Sequence, residues 1–137
     1  MMKSKMRVFL SHAREDAKVA DVLRAGLSKA GFEVWHDAEQ LMPGDNWALE
    51  LGKALQKAQA MVVLLSPSAL TSPSVQREIE YALGDQRFKG RLVPVVVRSV
   101  KEIPWILEKL DVLRIESDPE RESRRVVEAL RRIQNAA

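Results

Sequence analysis

Apolar positions along the chain follow two alternating rhythms. Short runs that are apolar at nearly every position occur at residues 6–10 (MRVFL), 60–65 (AMVVLL) and 92–97 (LVPVVV). Shorter, weaker runs occur at residues 32–36 and 112–115. A run that is apolar on both faces predicts a strand covered by helices, as in a parallel sheet. Between the runs, apolar residues recur at three- and four-residue spacing, which predicts amphipathic helices. The first helix is expected to turn Val19, Val22, Leu23, Leu27 and Ala30 inward, with Glu15 and Asp16 at its start and Gly31 as its C-terminal cap. The second is expected over residues 46–58, with Asp45 as N-cap and Leu51, Leu55 and Ala58 inward. Ser72-Pro73 reads as an N-cap followed by proline at the first helical position. That helix should bury Val75, Ile79, Ala82 and Leu83. A last helix begins near Asp118-Pro119 and should bury Val126, Val127, Leu130 and Ile133. Ser66-Pro67-Ser68 reads as a break, and Pro94 argues for an edge strand or a bulge. Residues 98–110, holding Pro104 and Trp105, read as a loop or a distorted helix.

The alternation of strand and helix implies right-handed crossovers and a parallel sheet with helices on both faces. At 137 residues one core is expected, a single domain over 1–137 with its core at about 6–133. The chain has no cysteine, which excludes a disulfide framework, a thiol nucleophile and a cysteine-based zinc site. Two histidines, His12 and His36, are too few for a convincing metal cluster, so no metal is expected. No segment reads as a signal peptide or a membrane span, and a cytoplasmic protein is the expectation. The net charge of +3 permits an anionic ligand without requiring nucleic acid. The basic run Arg121, Arg124, Arg125, Arg131 and Arg132 is interleaved with apolar helix positions and has no aromatic partners, so it reads as a solvated face.

In a doubly wound sheet the strand C-termini share one edge, where ligands bind. Here they carry Ser11-His12, Asp37, Ser66 and Arg98. Glu78 lies in the helix after the third strand, beside the apolar stripe of Val75 and Ile79 and on the face of Ser74 and Tyr81. From spacing alone, a solvated helix residue in company with Arg77 and Glu80 is the simpler reading of Glu78. A directed electrostatic role is the alternative. Asp37 reads equally as a loop cap or as a contact to a hydroxyl. Trp47 and Trp35 read first as core anchors.

Taken together, four pieces in order resemble a TIR (Toll/interleukin-1 receptor homology) domain of the bacterial type. They are the strand-Ser-His start FLSHAREDAKVADVLRAGLSKAGFEVW, the D-x-x-x-L-x-x-G-x-x-W run from Asp37 to Trp47, the VVLLS strand end, and S-x-x-x-x-x-E from Ser72 to Glu78. The resemblance covers roughly residues 6–133. It implies a flavodoxin-like three-layer sandwich with five parallel strands. It also implies one of two functions. The first is an NAD+ hydrolase or cyclase that cleaves the nicotinamide–ribose bond, gives ADP-ribose or a cyclic form, and is activated by self-association in prokaryotic immunity or as an effector. The second is a non-catalytic TIR interaction module in signalling.

The family's essential glutamate matches Glu78. Ser11, His12, Asp37, Trp47 and Ser74 fall where substrate contacts are expected, and Leu41, Met42, Pro43 and Gly44 form the loop expected to dock on a neighbouring subunit. Active members often carry a stacking tryptophan four residues before the glutamate, and that position is Ser74 here. NAD+ is expected as substrate with no cofactor. The expected partners are other TIR domains, with no nucleic acid or membrane, and a sensor elsewhere in a longer chain or on a partner. A phosphoacceptor receiver is set aside because Ser-His and Ser-Pro stand where its acidic residues belong. A dinucleotide dehydrogenase is set aside because the first turn lacks G-x-G-x-x-G. A nucleoside ribosyltransferase stays open.

Overall fold

Five parallel strands in the order β2-β1-β3-β4-β5 form the centre of the computed structural model, which describes residues 5–35 and 47–136. The strands are β1 (Arg7–Ser11), β2 (Glu33–Trp35), β3 (Ala60–Leu65), β4 (Leu92–Val96) and β5 (Leu113–Arg114). The helices are α1 (Ala17–Lys29), α2 (Trp47–Lys57), α3 (Pro67–Leu70), α4 (Pro73–Gly84), α5 (Trp105–Glu108) and α6 (Pro119–Ala136). This is the doubly wound order expected for a flavodoxin-like sheet.

Alternating side chains of each strand feed two separate cores. Val8 and Leu10 of β1, Val62 and Leu64 of β3, and Val93 and Val95 of β4 pack with Leu23 and Leu27 of α1 and Val126 and Leu130 of α6. Phe9, Met61, Val63, Leu65 and Val96 face the other way, onto Leu55 of α2, Val75 and Ala82 of α4 and Leu107 of α5. Every residue of β3 is buried, as its unbroken apolar run predicts. Burying one such leucine or valine contributes about 1.5–3 kcal/mol.

Local signals read from the sequence act as expected at two helix ends. Gly31 has φ +99°, a left-handed conformation that glycine adopts without strain. It closes α1 with paired bonds from Phe32 N–H to Leu27 O (3.0 Å) and from Gly31 N–H to Ser28 O (3.1 Å). The Ser72 hydroxyl accepts the Val75 N–H at 3.3 Å, with Pro73 in the first turn of α4.

Other expectations are corrected. Val22 and Leu83 are exposed, because α1 and α4 each turn a narrower stripe to the sheet than the run of apolar residues suggests. Ser66 does follow the end of β3, as expected. It N-caps the short helix α3, accepting the Ala69 N–H at 3.0 Å. The stretch after β4, expected as a loop or a distorted helix, holds the single turn α5 in keeping with that expectation.

Pro94 lies in neither an edge strand nor a bulge. It stands in register with Val63, in a strand between β3 and β5. The ladder explains why it is tolerated. Arg91 O and Val97 N bond to β3, at Met61 N and Leu65 O, while Val96 O accepts Ile115 N on the other side. Odd-numbered residues of β4 therefore pair with β3, and Pro94 directs its missing N–H toward β5. That strand begins only opposite Val95.

Among the described residues, no helix is long and apolar enough to cross a membrane.

Candidate active site

The strand order reverses between β1 and β3, and a crevice opens beyond the C-terminal ends of strands at such a switch point. Three chain segments meet there. Ser11 ends β1, and its place in the alternation, two residues after Phe9, turns it toward the α2–α4 layer. Ser66 follows β3 directly. Glu78 is the sixth residue of α4, and helical side chains lean toward the helix N-terminus, which here lies at the same edge.

Ser11 and Glu78, distant in sequence, touch. The Ser11 hydroxyl donates to Glu78 Oε1 at 2.5 Å, and the two residues are 0% and 1% exposed. Glu78 is thus not a solvated helix residue. Charged groups are seldom buried this completely unless they are paired or given a task. A hydroxyl donating to a carboxylate makes a short, charge-assisted bond.

A second buried carboxylate lies at the same edge of the sheet, bonded to residues that follow β3 and β4, and sequence reasoning did not single it out as a site residue. Asp16, 2% exposed, ends the 3-10 turn before α1. It makes no capping bond to α1. It accepts instead from the Ser66 hydroxyl and from Arg98, whose Nε is 2.9 Å from Asp16 Oδ1. Arg98 Nη2 also reaches Asp16 and the carbonyl of Glu15. This network ties the β1–α1 turn to the ends of β3 and β4. Ser66 and Arg98 were visible as strand-end residues, but their partner lies 50 and 82 positions away, beyond any local spacing rule.

His12 is half-buried, with Nδ1 2.8 Å from the Ala13 carbonyl, a contact that places a proton on Nδ1. Ser74, one turn before Glu78, is half-buried on α4. Trp35 is half-buried and packs against the α2–α4 core. Trp47 is the first residue of α2. Asp37, Leu41, Met42, Pro43 and Gly44 lie outside the described residues, as do His36 and Asp45.

The comparison that decides the family is a match to the TIR domain model over residues 8–131. The chain belongs to the TIR domain family. Among relatives of this TIR domain is the NAD(+) hydrolase PdTIR of Paracoccus denitrificans (strain Pd 1222). It is 35% identical over 90 residues, which is 64% of this chain and 30% of that protein. The 2' cyclic ADP-D-ribose synthase BtTIR of Bacteroides thetaiotaomicron is 40% identical over 62 residues, 44% of this chain and 21% of that protein. The TIR chain therefore spans less than a third of the length of these curated relatives. Its fold matches the TIR domain of the Toll-related receptor TRR-2 from Hydra magnipapillata, with a TM-score of 0.75 at 22% identity, covering 93% of this chain and 97% of that one.

Proposed function

We propose that this TIR domain cleaves NAD+ at the nicotinamide–ribose bond. The observation that carries the reading is Glu78. Its carboxylate is buried at the switch point of the sheet and held by Ser11, at the position matching the family's essential glutamate. Relatives named for NAD+ hydrolysis and for cyclic ADP-ribose synthesis support it.

The chemistry suits a single carboxylate. The C1'–N bond breaks, its electron pair returns to the pyridinium ring, and nicotinamide leaves neutral. No acid is needed to protonate it. Positive charge develops on the ribose, as in glycoside cleavage, and a fixed carboxylate stabilises that charge and holds ribose hydroxyls. Water then adds at C1' and loses a proton, giving ADP-ribose. Attack by a hydroxyl of the same molecule gives a cyclic product. No cofactor or metal enters these steps. Asp37, Trp47, His12 and Ser74 are the proposed substrate contacts around the ribose and nicotinamide.

With Glu78 at 1% exposure, substrate reaches it only after a rearrangement. Self-association through residues 41–44 supplies the trigger in this reading. Chromatography of NAD+ after incubation with concentrated protein tests it. Wild type releases nicotinamide, and Glu78→Gln lowers the rate by about 10²-fold or more, as loss of a principal electrostatic stabiliser does. Equal rates from the two proteins would overturn the assignment.

Ser74 favours a second reading. A half-buried serine offers no ring for nicotinamide to stack on where active members often have tryptophan. Absence of nicotinamide release at every concentration would make the chain a TIR interaction module.

A further inference from the structure

The opposite edge of the sheet, at the strand N-termini, carries a cleft of about 440 Å³. Five cations line it: Arg7, Lys57, Arg87, Lys89 and Arg91. The other lining residues are three glutamines and an alanine, with no acid among them. These five charges exceed the +3 of the whole chain, so the remainder of the molecule is net negative.

Part of this charge has a structural task. Arg7 Nε donates to Lys57 O at 2.7 Å, Arg87 donates to the carbonyls of Leu55 and Gln56, and Arg91 Nη1 lies 3.5 Å from Gln59 O. These bonds satisfy the carbonyls at the C-terminus of α2 and of the turn after it. A helix C-terminus offers only about half a negative charge, and Asp85, paired with Arg87 at 3.0 Å, adds one more. Most of the positive charge is left uncompensated. Lys57 and Lys89 are exposed and have no acidic partner among the described residues. The carbonyl bonds also fix the guanidinium groups in place, so a ligand does not have to order them.

We propose that this cleft binds the phosphate chain of a small polyanion, at a site separate from Glu78. Its size fits a compact ligand. Its cations converge on a concavity and have no aromatic ring among the lining residues, unlike a groove built for a nucleic-acid strand.

Calorimetric titration with sodium tripolyphosphate at low salt tests the site. Wild type binds saturably. Lys57→Gln/Lys89→Gln weakens binding at least tenfold while keeping the unliganded Tm, because neither side chain supports the fold. Lys18→Gln/Lys29→Gln removes the same charge from the exposed side of α1 and leaves binding within about twofold. Adenosine triphosphate serves as a second probe. Affinity equal to tripolyphosphate supports recognition of the phosphate chain alone, and tighter binding supports a nucleotide as its source. Absent saturation, equal weakening by both double variants, or tighter binding of oligo-aspartate would each overturn the proposal. None of these readouts depends on NAD+ cleavage.

Discussion

Ser11 has one hydroxyl proton, and it goes to Glu78. Removing that donor leaves a carboxylate buried with a lost partner, a change that costs about 1–3 kcal/mol. Ser11→Ala is therefore expected to lower the Tm and, where NAD+ is cleaved, to lower kcat more than it raises KM. In the Glu78→Gln background the same substitution should have a much smaller effect on stability. A thermal double-mutant cycle measures the difference, and additive losses would show that the two side chains act independently. At this scale the sequence was half legible. Glu78 stood out through its place after the third strand and through the family motif. Its burial did not, since neighbouring Arg77 and Glu80 made a solvated face the simpler picture. Asp16 was read only as an acid at a helix start, because an acidic residue before a helix already has a local explanation, whereas its real partners sit just beyond the ends of β3 and β4.

Elements were more readable, because caps and periodicity are encoded within a few residues. Gly31, Ser72 and Pro73 each did what their chemistry predicts. Pro94 misled, since the rule against central proline assumes that both sides of a strand need donors at every level. Here the side facing β5 needs none until Val95. Val95→Pro removes an N–H that points to β3 and is expected to unfold the domain or lower its Tm by well over 10 °C. Pro94→Val should shift it by no more than a few degrees. Thermal denaturation followed by circular dichroism compares the two.

The turn after α4 carries a pH-dependent element. Asp85 accepts the Arg87 backbone N–H at 2.9 Å, and hydrogen bonding from the Arg87 side chain lowers its pKa below 3.8. A carboxyl depressed in the folded state adds stability above its unfolded pKa and loses it as pH falls through the lower folded value. Asp85→Asn should therefore flatten the acid side of the stability profile below about pH 4, read from denaturant midpoints across pH.

For the molecule as a whole, helices on both faces of a parallel sheet were expected from the alternation of runs and amphipathic stretches, whereas the single core expected from the length is divided by the sheet into two. Self-association was expected only from the family resemblance, because surface residues carry no periodicity that names a partner. Burial of Glu78 makes a kinetic prediction. If association uncovers the carboxylate, the specific rate of nicotinamide release rises with protein concentration, and Met42→Glu shifts that rise to higher concentration without changing the Tm. A specific rate that is flat across concentration would argue against gating by assembly.

Among the described residues, the outermost strands of the sheet are brief: three residues in β2 and two in β5. A strand presents bare backbone donors and acceptors in proportion to its length, and short borders blunt ribbon-to-ribbon pairing. Copies of this domain accordingly have little main-chain template on which to stack. Any higher-order particle they build must be read through side chains and loops, where a single substitution can rewrite who joins whom.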